Sequence, residues 1–284
     1  MINNSNKLKA EIQKITKGDS LKSQTYLQNF FMERFLERLS ISKYKDKFIL
    51  KGGVLVAQLL GISLRSTIDI DATINALNFN MDELDRMIHE IINVDVNDCV
   101  TFKIGRIEKI MEDHDYSGFR FTLNSSFDGI KQKIRIDLST GDYITPKAIS
   151  NTFNLMFGDK KINLMTYNIE TLLAEKIETI LYRSIANTRM KDFYDVYIIN
   201  KFETININLL KQAFLNTCEK RKTVFIIENH EDILKDLKTD DTIKTNWNKF
   251  KKESHFVGDL LWDEVLNECI SLIKKVVLYN NDGK

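Results

Sequence analysis

Residues 48–71 read FILKGGVLVAQLLGISLRSTIDID, and this stretch decides how the first part of the chain folds. FIL (48–50) is typical of a short buried strand, which the following glycine pair breaks. VLVAQLL (54–60) predicts a brief apolar helix that ends at the next glycine. RSTIDIDATI (65–74) alternates in polarity and predicts another strand. A strand, a glycine turn, a helix and a second strand are therefore expected in close succession.

The second of these strands carries two aspartates on one face. Side chains alternate along a strand, so one face is predicted to carry Arg65, Thr67, Asp69 and Asp71. Ile68 and Ile70 are expected to enter the core from the opposite face. Two carboxylates about 7 Å apart on one strand face repel each other, and a shared Mg²⁺ removes that repulsion. The pair predicts a magnesium site, although isolated pairs of this kind also occur on solvated strand faces.

The glycine pair, Gly52 and Gly53, stands between the buried strand and the helix. Glycine lets the backbone approach a ligand closely, and a helix N-terminus offers free N–H groups and positive charge to a phosphate. The GxxxxGK[ST] pattern of a Walker A loop is missing from the sequence. The pair therefore predicts a phosphate contact or, in the simpler interpretation, a tight turn.

A third carboxylate follows in KQKIRIDLS (131–139). Ile134, Ile136 and Leu138 alternate with polar residues, so Asp137 is predicted on the exposed face of a strand. On a strand next to Asp69 and Asp71 it would complete a two-metal site. Asp137 alone could be a surface residue, and Asp128 and Asp142 lie nearby, but only Asp137 sits within a clear alternating strand.

The second half of the sequence has a helical pattern with two polar features. In IETLLAEKIETILYRS (169–184), Lys176 projects from the border of an apolar helix face, where it can extend to solvent or reach a phosphate. Arg189, Lys191, Asp192 and Asp195 then crowd the start of the next helix. Capping is the alternative role for Asp192, since aspartates are favoured at helix starts.

Composition and patterning indicate an α+β protein of two domains. The predicted boundary lies near 150, with an α/β domain at 1–150 and a helical domain at 151–284. Net charge is +1, so any nucleic-acid binding must use a local patch. The three cysteines and four histidines are scattered, which predicts a cytoplasmic protein without disulfides or zinc. The longest nearly apolar stretch has eleven residues, too few to span a bilayer.

One basic segment, TIKTNWNKFKKES (242–254), interleaves lysines with aromatic residues. Lys251 and Lys252 beside Trp247 and Phe250 could bind single-stranded nucleic acid by charge and stacking. The alternative is an amphipathic helix that buries its aromatic residues in the C-terminal bundle.

Taken in order, these motifs resemble a known family. LKGG, the Arg65-x-Thr67-x-Asp69-Ile-Asp71 strand, Asp137, Lys176 and the block from Arg189 to Asp195 are similar to the AbiEii/AbiGii family of nucleotidyltransferase-like toxins. That family belongs to the DNA polymerase β-type superfamily. Thr67 stands where the family usually has serine, which keeps the hydroxyl group. The gap of fifteen residues between the glycine pair and Asp69 is somewhat long for the superfamily.

The resemblance implies a mixed β-sheet core with flanking helices and a helical C-terminal domain. It implies two Mg²⁺ ions on Asp69, Asp71 and Asp137, with Lys176 serving the phosphates of a nucleoside triphosphate (NTP). It also assigns nucleotide binding to a wider set: Gly52, Gly53, Arg65, Thr67, Lys191, Asp192 and Asp195. Whether Asp192 and Asp195 are catalytic or architectural stays open.

As a member of this family, the protein would be an enzyme of the nucleotidyltransferase class. It would transfer a nucleoside monophosphate to a macromolecule and stop growth in phage defence by abortive infection, and an antitoxin encoded nearby would counter it. The family analogy favours the 3′ end of tRNA as acceptor, with a protein hydroxyl as the second candidate. A non-catalytic nucleotide-binding protein of the same fold is the main alternative.

Overall fold

The chain folds around one seven-stranded mixed sheet in a computed structural model that describes residues 2–61, 63, 65, 67–74, 80–110 and 118–277. The strands are β1 (Phe48–Lys51), β2 (Asp69–Ile74), β3 (Thr101–Ile110), β4 (Gly118–Phe127), β5 (Ile130–Thr140), β6 (Ile149–Asn154) and β7 (Lys161–Thr166). Their order across the sheet is β3-β4-β5-β2-β1-β7-β6. The pairs β2–β5 and β1–β7 are parallel, and the other neighbours are antiparallel. The predicted α+β fold class is confirmed.

The chain divides into two units. The first comprises Met1–Asp142 and Ile149–Thr166, and the second comprises Tyr143–Ala148 and Tyr167–Lys284. This division differs from the boundary predicted near residue 150. Residues beyond 150 return to the sheet as β6 and β7, and the helices of the second unit begin at Ile169.

Among the described residues, the helices of the first unit are α1 (Ser5–Thr16), α2 (Ser20–Ile41), α3 (Gly52–Leu60) and α4 (Met81–Ile92). Helix α2 supplies much of the core, because its side chains recur at helical spacing on one buried face. The buried apolar residues of this helix include Phe30, Phe31, Phe35, Leu36 and Leu39. Helix α2 packs on β5 and β7, and α4 packs on α2 and β3.

Strands β3, β4 and β5 form an antiparallel platform with two different faces. The face towards the core buries apolar side chains, among them Phe121, Leu123, Ile134, Ile136 and Leu138. The other face carries polar residues, because every second side chain along these strands is polar. The predicted alternation around Asp137 is therefore confirmed.

Strand β2 is shorter than predicted. It begins at Asp69, so the alternation does not extend back to Ile68. Ile70 is buried as expected, but Ile68 is 62% exposed, and its predicted place in the core was wrong.

Helix α1 and strands β6 and β7 of the first unit were not predicted from the sequence. Helix α1 has a signal that could have revealed it: Asn4 caps its N-terminus, and Leu8 and Ile12 lie one turn apart and are buried. Strand β7 has a short alternation, with Ile162 and Leu164 buried. Strand β6 (ISNTFN) is an edge strand with mostly exposed residues, so its sequence carries little hydrophobic pattern.

The described residues of the second unit are mainly helical. The helices are α5 (Ile169–Arg183), α6 (Met190–Phe202), α7 (Ile207–Arg221), α8 (Phe225–Glu228), α9 (His230–Thr239), α10 (Asp241–Glu253) and α11 (Trp262–Val277). Helix α5 packs on α6 and α7, and α11 packs on the same two helices. Within the described residues, no helix combines the length and the apolar character that a membrane-spanning helix needs.

Helix α10 contains the basic and aromatic segment. Trp247 is 1% exposed, and its ring centroid lies 5.7 Å from that of Trp262 and 5.6 Å from that of Phe250. The indole N–H donates to the carbonyl of Leu260 at 3.4 Å. The helix thus buries its tryptophan in the bundle, as the alternative interpretation predicted, and this ring is not available for stacking on bases.

Candidate active site

Three aspartates lie together on one face of the sheet in the first unit. Strands β2 and β5 are parallel, with Asp71 directly opposite Asp137 and Asp69 opposite Arg135. Because side chains alternate, Asp69, Asp71 and Asp137 point to the same face, and neighbouring strands are about 4.8 Å apart. The proximity predicted for these three residues is therefore found.

Each of the outer two carboxylates contacts an arginine of the same face. Arg120 on β4 makes a bidentate contact with Asp137, with Nε–Oδ1 and Nη2–Oδ2 distances of 2.8 and 2.7 Å. Arg135 on β5 forms an ion pair with Asp69. The hydrogen bonds that Arg120 donates to the Asp137 carboxylate raise the pKa of Arg120. These arginines offset the mutual repulsion of the carboxylates.

Other charged residues lie on the neighbouring strands on both sides of the aspartates. Lys51 on β1 is opposite Asp71, and Glu108 on β3 is opposite Arg120. The Lys51 ammonium also pairs with Asp142, to which Ser139 donates a hydrogen bond. Asp142, one of the alternatives to Asp137, therefore lies near the site but after the end of β5. The other alternative, Asp128, lies in the β4–β5 turn and accepts hydrogen bonds from Ser5 at 2.8 Å.

The three aspartates suit a hard divalent cation by residue type and by position. Each carboxylate oxygen has two lone pairs, so an arginine contact leaves capacity for a cation. As they stand, the described residues contain no group of three acidic, histidine or cysteine side chains gathered closely enough to hold a metal ion. A cation here would compete with Arg135 for Asp69 and with Arg120 for Asp137.

The glycine pair starts helix α3 beside the aspartates. Gly52 has φ +61°, in the left-handed region, and a Cβ there would lie 2.2 Å from Asp71 Oδ2 and 2.8 Å from Asp71 Cβ. A Cβ on Gly53 would lie 2.9 Å from a terminal nitrogen of Arg65 and 3.1 Å from Thr67 Oγ1. The glycines thus allow the helix start to approach these three side chains, which no other residue type would permit.

Replacing Gly52 with alanine is expected to destabilise the protein by about 2–4 kcal/mol. A left-handed backbone costs a non-glycine residue about 1–2 kcal/mol, and displacing Asp71 adds an overpacking cost of similar size. Gly258→Ala is the matched control, because Gly258 also has φ +61° but has open space around it. Urea denaturation of both variants should show a clearly larger loss for Gly52→Ala. Equal losses would mean that the contact with Asp71 contributes nothing.

Arg65 and Thr67 precede β2 instead of forming part of it. Arg65 is 4% exposed, and Thr67 Oγ1 lies 3.2 Å from the carbonyl of Asp69. Both side chains still reach Gly53, so the predicted grouping of Arg65 and Thr67 with the glycine pair is found, although by a turn rather than by strand alternation.

Lys176 lies in a second charged cluster, which belongs to the second unit. Its Nζ contacts Asp195 Oδ2 at 2.6 Å and Asp192 Oδ1 at 3.1 Å, and Arg189 Nε contacts Asp192 Oδ2 at 2.6 Å. Lys176, Asp192 and Asp195 are all buried, whereas Lys191 is exposed. Burial alone would raise the pKa of Asp192, but the neighbouring Lys176 and Arg189 outweigh burial and hold it well below its usual range.

The contacts within this cluster bear on the roles predicted for Asp192 and Lys176. The alternative role of Asp192 as a helix cap is not found, because Arg189 is the N-cap residue of α6. The Asp192 carboxylate instead binds a lysine and an arginine. Contact of Lys176 with phosphates stays a prediction, since its ammonium is already engaged by two carboxylates.

Two arginines of the site were missed in the sequence. Arg135 stands two residues before Asp137 on the same strand face, so the alternation of β5 could have indicated it. The pairing of Arg120 with Asp137 depends on the register between β4 and β5, which the sequence does not reveal.

Comparison with known proteins gives both sequence and structural matches. The model of the family described as "Nucleotidyl transferase AbiEii toxin, Type IV TA system" matches residues 34–268. No curated protein matches the chain.

Several solved structures also match the chain at low sequence identity. A nucleotidyltransferase from H. pylori matches with a TM-score of 0.47 and 17% identity, over 89% of this chain and 96% of that one. JHP933 from Helicobacter pylori matches with a TM-score of 0.46 and 15% identity, over 89% and 93%. An antigenic nucleotidyltransferase-like protein from Paracoccidioides brasiliensis matches with a TM-score of 0.42 and 17% identity, over 78% and 92%.

Proposed function

The chain belongs to the AbiEii family of nucleotidyl transferase toxins of type IV toxin–antitoxin systems, and from this we propose that it transfers a nucleoside monophosphate from an NTP to an RNA. The observation that carries the proposal is the placement of Asp69, Asp71 and Asp137 on one face of neighbouring strands, beside the start of α3. We take the 3′ end of tRNA as the acceptor, the cytoplasm as the location, and an antitoxin encoded nearby as the counterpart.

The reaction exchanges a phosphoanhydride bond of the NTP for a phosphodiester bond to the acceptor. The acceptor hydroxyl oxygen bonds to the α-phosphorus of the NTP as it loses its proton, and the bond from that phosphorus to the bridging oxygen breaks. Pyrophosphate leaves with the bonding electrons. Positioning and charge stabilisation supply most of the rate in such transfers.

Asp69, Asp71 and Asp137 are the residues that would hold Mg²⁺. When bound, Mg²⁺ supplies positive charge that neutralises the phosphates and the leaving pyrophosphate. The glycine pair lets the N-terminus of α3 approach the triphosphate, where its N–H groups and its dipole favour negative charge. Arg65 and Thr67, whose side chains lie beside Gly53, would orient the same phosphates.

A non-catalytic nucleotide-binding protein is the second candidate. The ion pairs of Asp69 with Arg135 and of Asp137 with Arg120 favour it, because two of the three proposed metal ligands are engaged by cations of the protein itself. In that case the site would bind an NTP without turning it over.

Labelled nucleotides distinguish these functions. Purified protein is incubated with Mg²⁺, total bacterial RNA and each NTP in turn, labelled at the α-phosphate, beside an Asp69→Ala/Asp71→Ala variant. We expect one NTP to label a tRNA-sized band, and the variant to label none. Label on a protein would mean that the acceptor is a protein hydroxyl instead of RNA, while the proposed nucleotidyl transfer still holds. NTP binding without any labelled product would overturn the proposal in favour of the binding protein.

A further inference from the structure

The polar face of the β3–β4–β5 platform is strongly basic. Its cationic side chains, which we call the cationic face, are Lys103, Arg120, Lys131, Lys133 and Arg135. Together the three strands carry seven lysines and arginines but only two acids, Glu108 and Asp137. This excess is local, because the whole chain has a net charge of +1.

Strand register arranges these residues in rows. Lys131 is opposite Ser126, and Ser126 is opposite Thr101 on β3. In the next row, Lys133, Asn124 and Lys103 are opposite one another. Both rows therefore combine ammonium groups with uncharged hydrogen-bonding side chains and contain no carboxylate.

The cationic face is accessible to a ligand. Lys103, Lys131 and Lys133 are exposed. The Arg120 and Arg135 side chains retain 38% and 42% of their exposure even while they are paired with aspartates. The apolar side of the same strands is occupied by the core, so this polar side is the one that a partner can approach.

Along β5 the cationic face leads into the aspartates. Lys131, Lys133, Arg135 and Asp137 follow one another at every second residue, which spaces their side chains about 6.6–6.8 Å apart on one face. Asp71 is beside Asp137 at the end of this series. A negatively charged polymer bound along these cationic side chains would therefore have one end beside the aspartates.

Phosphate contacts position a nucleic acid, and lysine and arginine are their main source. We propose that the cationic face binds the sugar–phosphate backbone of an RNA acceptor and directs its 3′ end to Asp137 and Asp71. This inference rests on the proposed transfer to RNA and adds the surface by which the acceptor is held. Arg120 and Arg135 join the two regions, since each contacts an aspartate and belongs to the cationic face.

The test measures RNA affinity separately from catalysis. A 5′-fluorescent, mixed-sequence, single-stranded RNA with a free 3′ hydroxyl is titrated with full-length protein without NTP, and anisotropy is recorded between 50 and 200 mM NaCl. The Lys131→Gln/Lys133→Gln variant should bind about tenfold more weakly near 150 mM salt, and its salt slope should be smaller by roughly 1.4, at about 0.7 per lost phosphate contact.

A matched control removes the same charge from helix α10. Lys244→Gln/Lys249→Gln alters two exposed lysines of the basic segment that was an alternative RNA site in the sequence. This variant should bind RNA as the unmodified protein does. An equal loss in both variants, a loss only in the α10 variant, or no RNA binding at 50 mM NaCl would overturn the proposal.

The labelling experiment separates this inference from the proposed function. If the Lys131→Gln/Lys133→Gln variant labels RNA with an unchanged KM for RNA, RNA binding by the cationic face is refuted. The proposed transfer to RNA is then retained. If RNA binding depends on the two lysines but no nucleotide is transferred from any NTP, RNA binding by the cationic face is retained and the proposed transfer is refuted. Label on protein alone would refute the RNA surface.

Discussion

Replacing Asp71 with asparagine is expected to slow nucleotidyl transfer by roughly 100- to 1,000-fold while leaving the fold intact. Asp71 lies between the helix start at Gly52 and the opposing Asp137, so it is the central carboxylate of the proposed metal site. Asparagine keeps the shape of the side chain but removes one negative charge. The loss should therefore appear in turnover and in Mg²⁺ dependence rather than in stability.

The experiment compares initial rates of labelled product at several Mg²⁺ concentrations, together with urea denaturation. Asp46→Asn is the control, because Asp46 is an exposed loop residue of the same unit. Asp46→Asn should match the unmodified protein in both measurements. Asp71→Asn should raise the Mg²⁺ concentration needed for half-maximal rate, and its urea midpoint should stay close to that of the unmodified protein. Unimpaired transfer by Asp71→Asn would remove Asp71 from the proposed metal site.

Replacing Lys176 with methionine is expected to destabilise the protein by about 3–5 kcal/mol. The Asp192 and Asp195 side chains are 1% and 0% exposed, and Lys176 contacts both. Methionine fills a similar volume but leaves two buried carboxylates with too little positive charge nearby. Denaturation by urea at pH 7 measures this loss.

The loss of stability caused by Lys176→Met should depend on pH. In the unmodified protein, the pKa of Asp192 is lowered by Lys176 and Arg189, so its ion pairs contribute stability above the unfolded pKa near 4. That contribution disappears as the pH falls through the folded pKa. The difference in stability between Lys176→Met and the unmodified protein should therefore be largest at neutral pH and should shrink as the pH falls below about 4.

A double variant separates architecture from phosphate binding. Lys176→Met/Asp195→Asn removes a positive and a negative charge together, and it should recover much of the lost stability. If this stable variant transfers nucleotides normally, Lys176 has only an architectural role. If it is stable and inactive, the phosphate role implied by the family resemblance is supported. If the double variant does not recover stability, the contact of Lys176 with Asp195 is not the origin of the stability loss.

Local patterns in the sequence predicted the elements that carry the site. The alternation of KQKIRIDLS placed Asp137 on an exposed strand face, and the Asp-x-Asp pair of β2 was predicted to point the same way. These predictions succeeded because period-two alternation is a local property of an extended chain. The failure at Ile68 shows the limit of such patterns, since alternation predicts a face but not where a strand begins.

What the sequence could not provide was the pairing between distant residues. The contact of Arg120 with Asp137 follows from strand register, and the two aspartates that hold Lys176 come from another helix. Trp247 illustrates the same point in the second unit. Its place beside basic residues was compatible with stacking on RNA, and only the packing of α10 showed that the ring is buried.

The insertion of β5 between β4 and β2 has a consequence for biosynthesis. Asp69 and Arg135 are partners that lie 66 residues apart in the chain, and the same separation joins Asp71 to Asp137. A ribosome delivers the N-terminal part first, so an emerging chain that lacks β5 cannot assemble the carboxylate face. A prematurely terminated product that ends before β5 therefore lacks both Arg135 and Asp137, and the partners of Asp69 and Asp71 are missing from it.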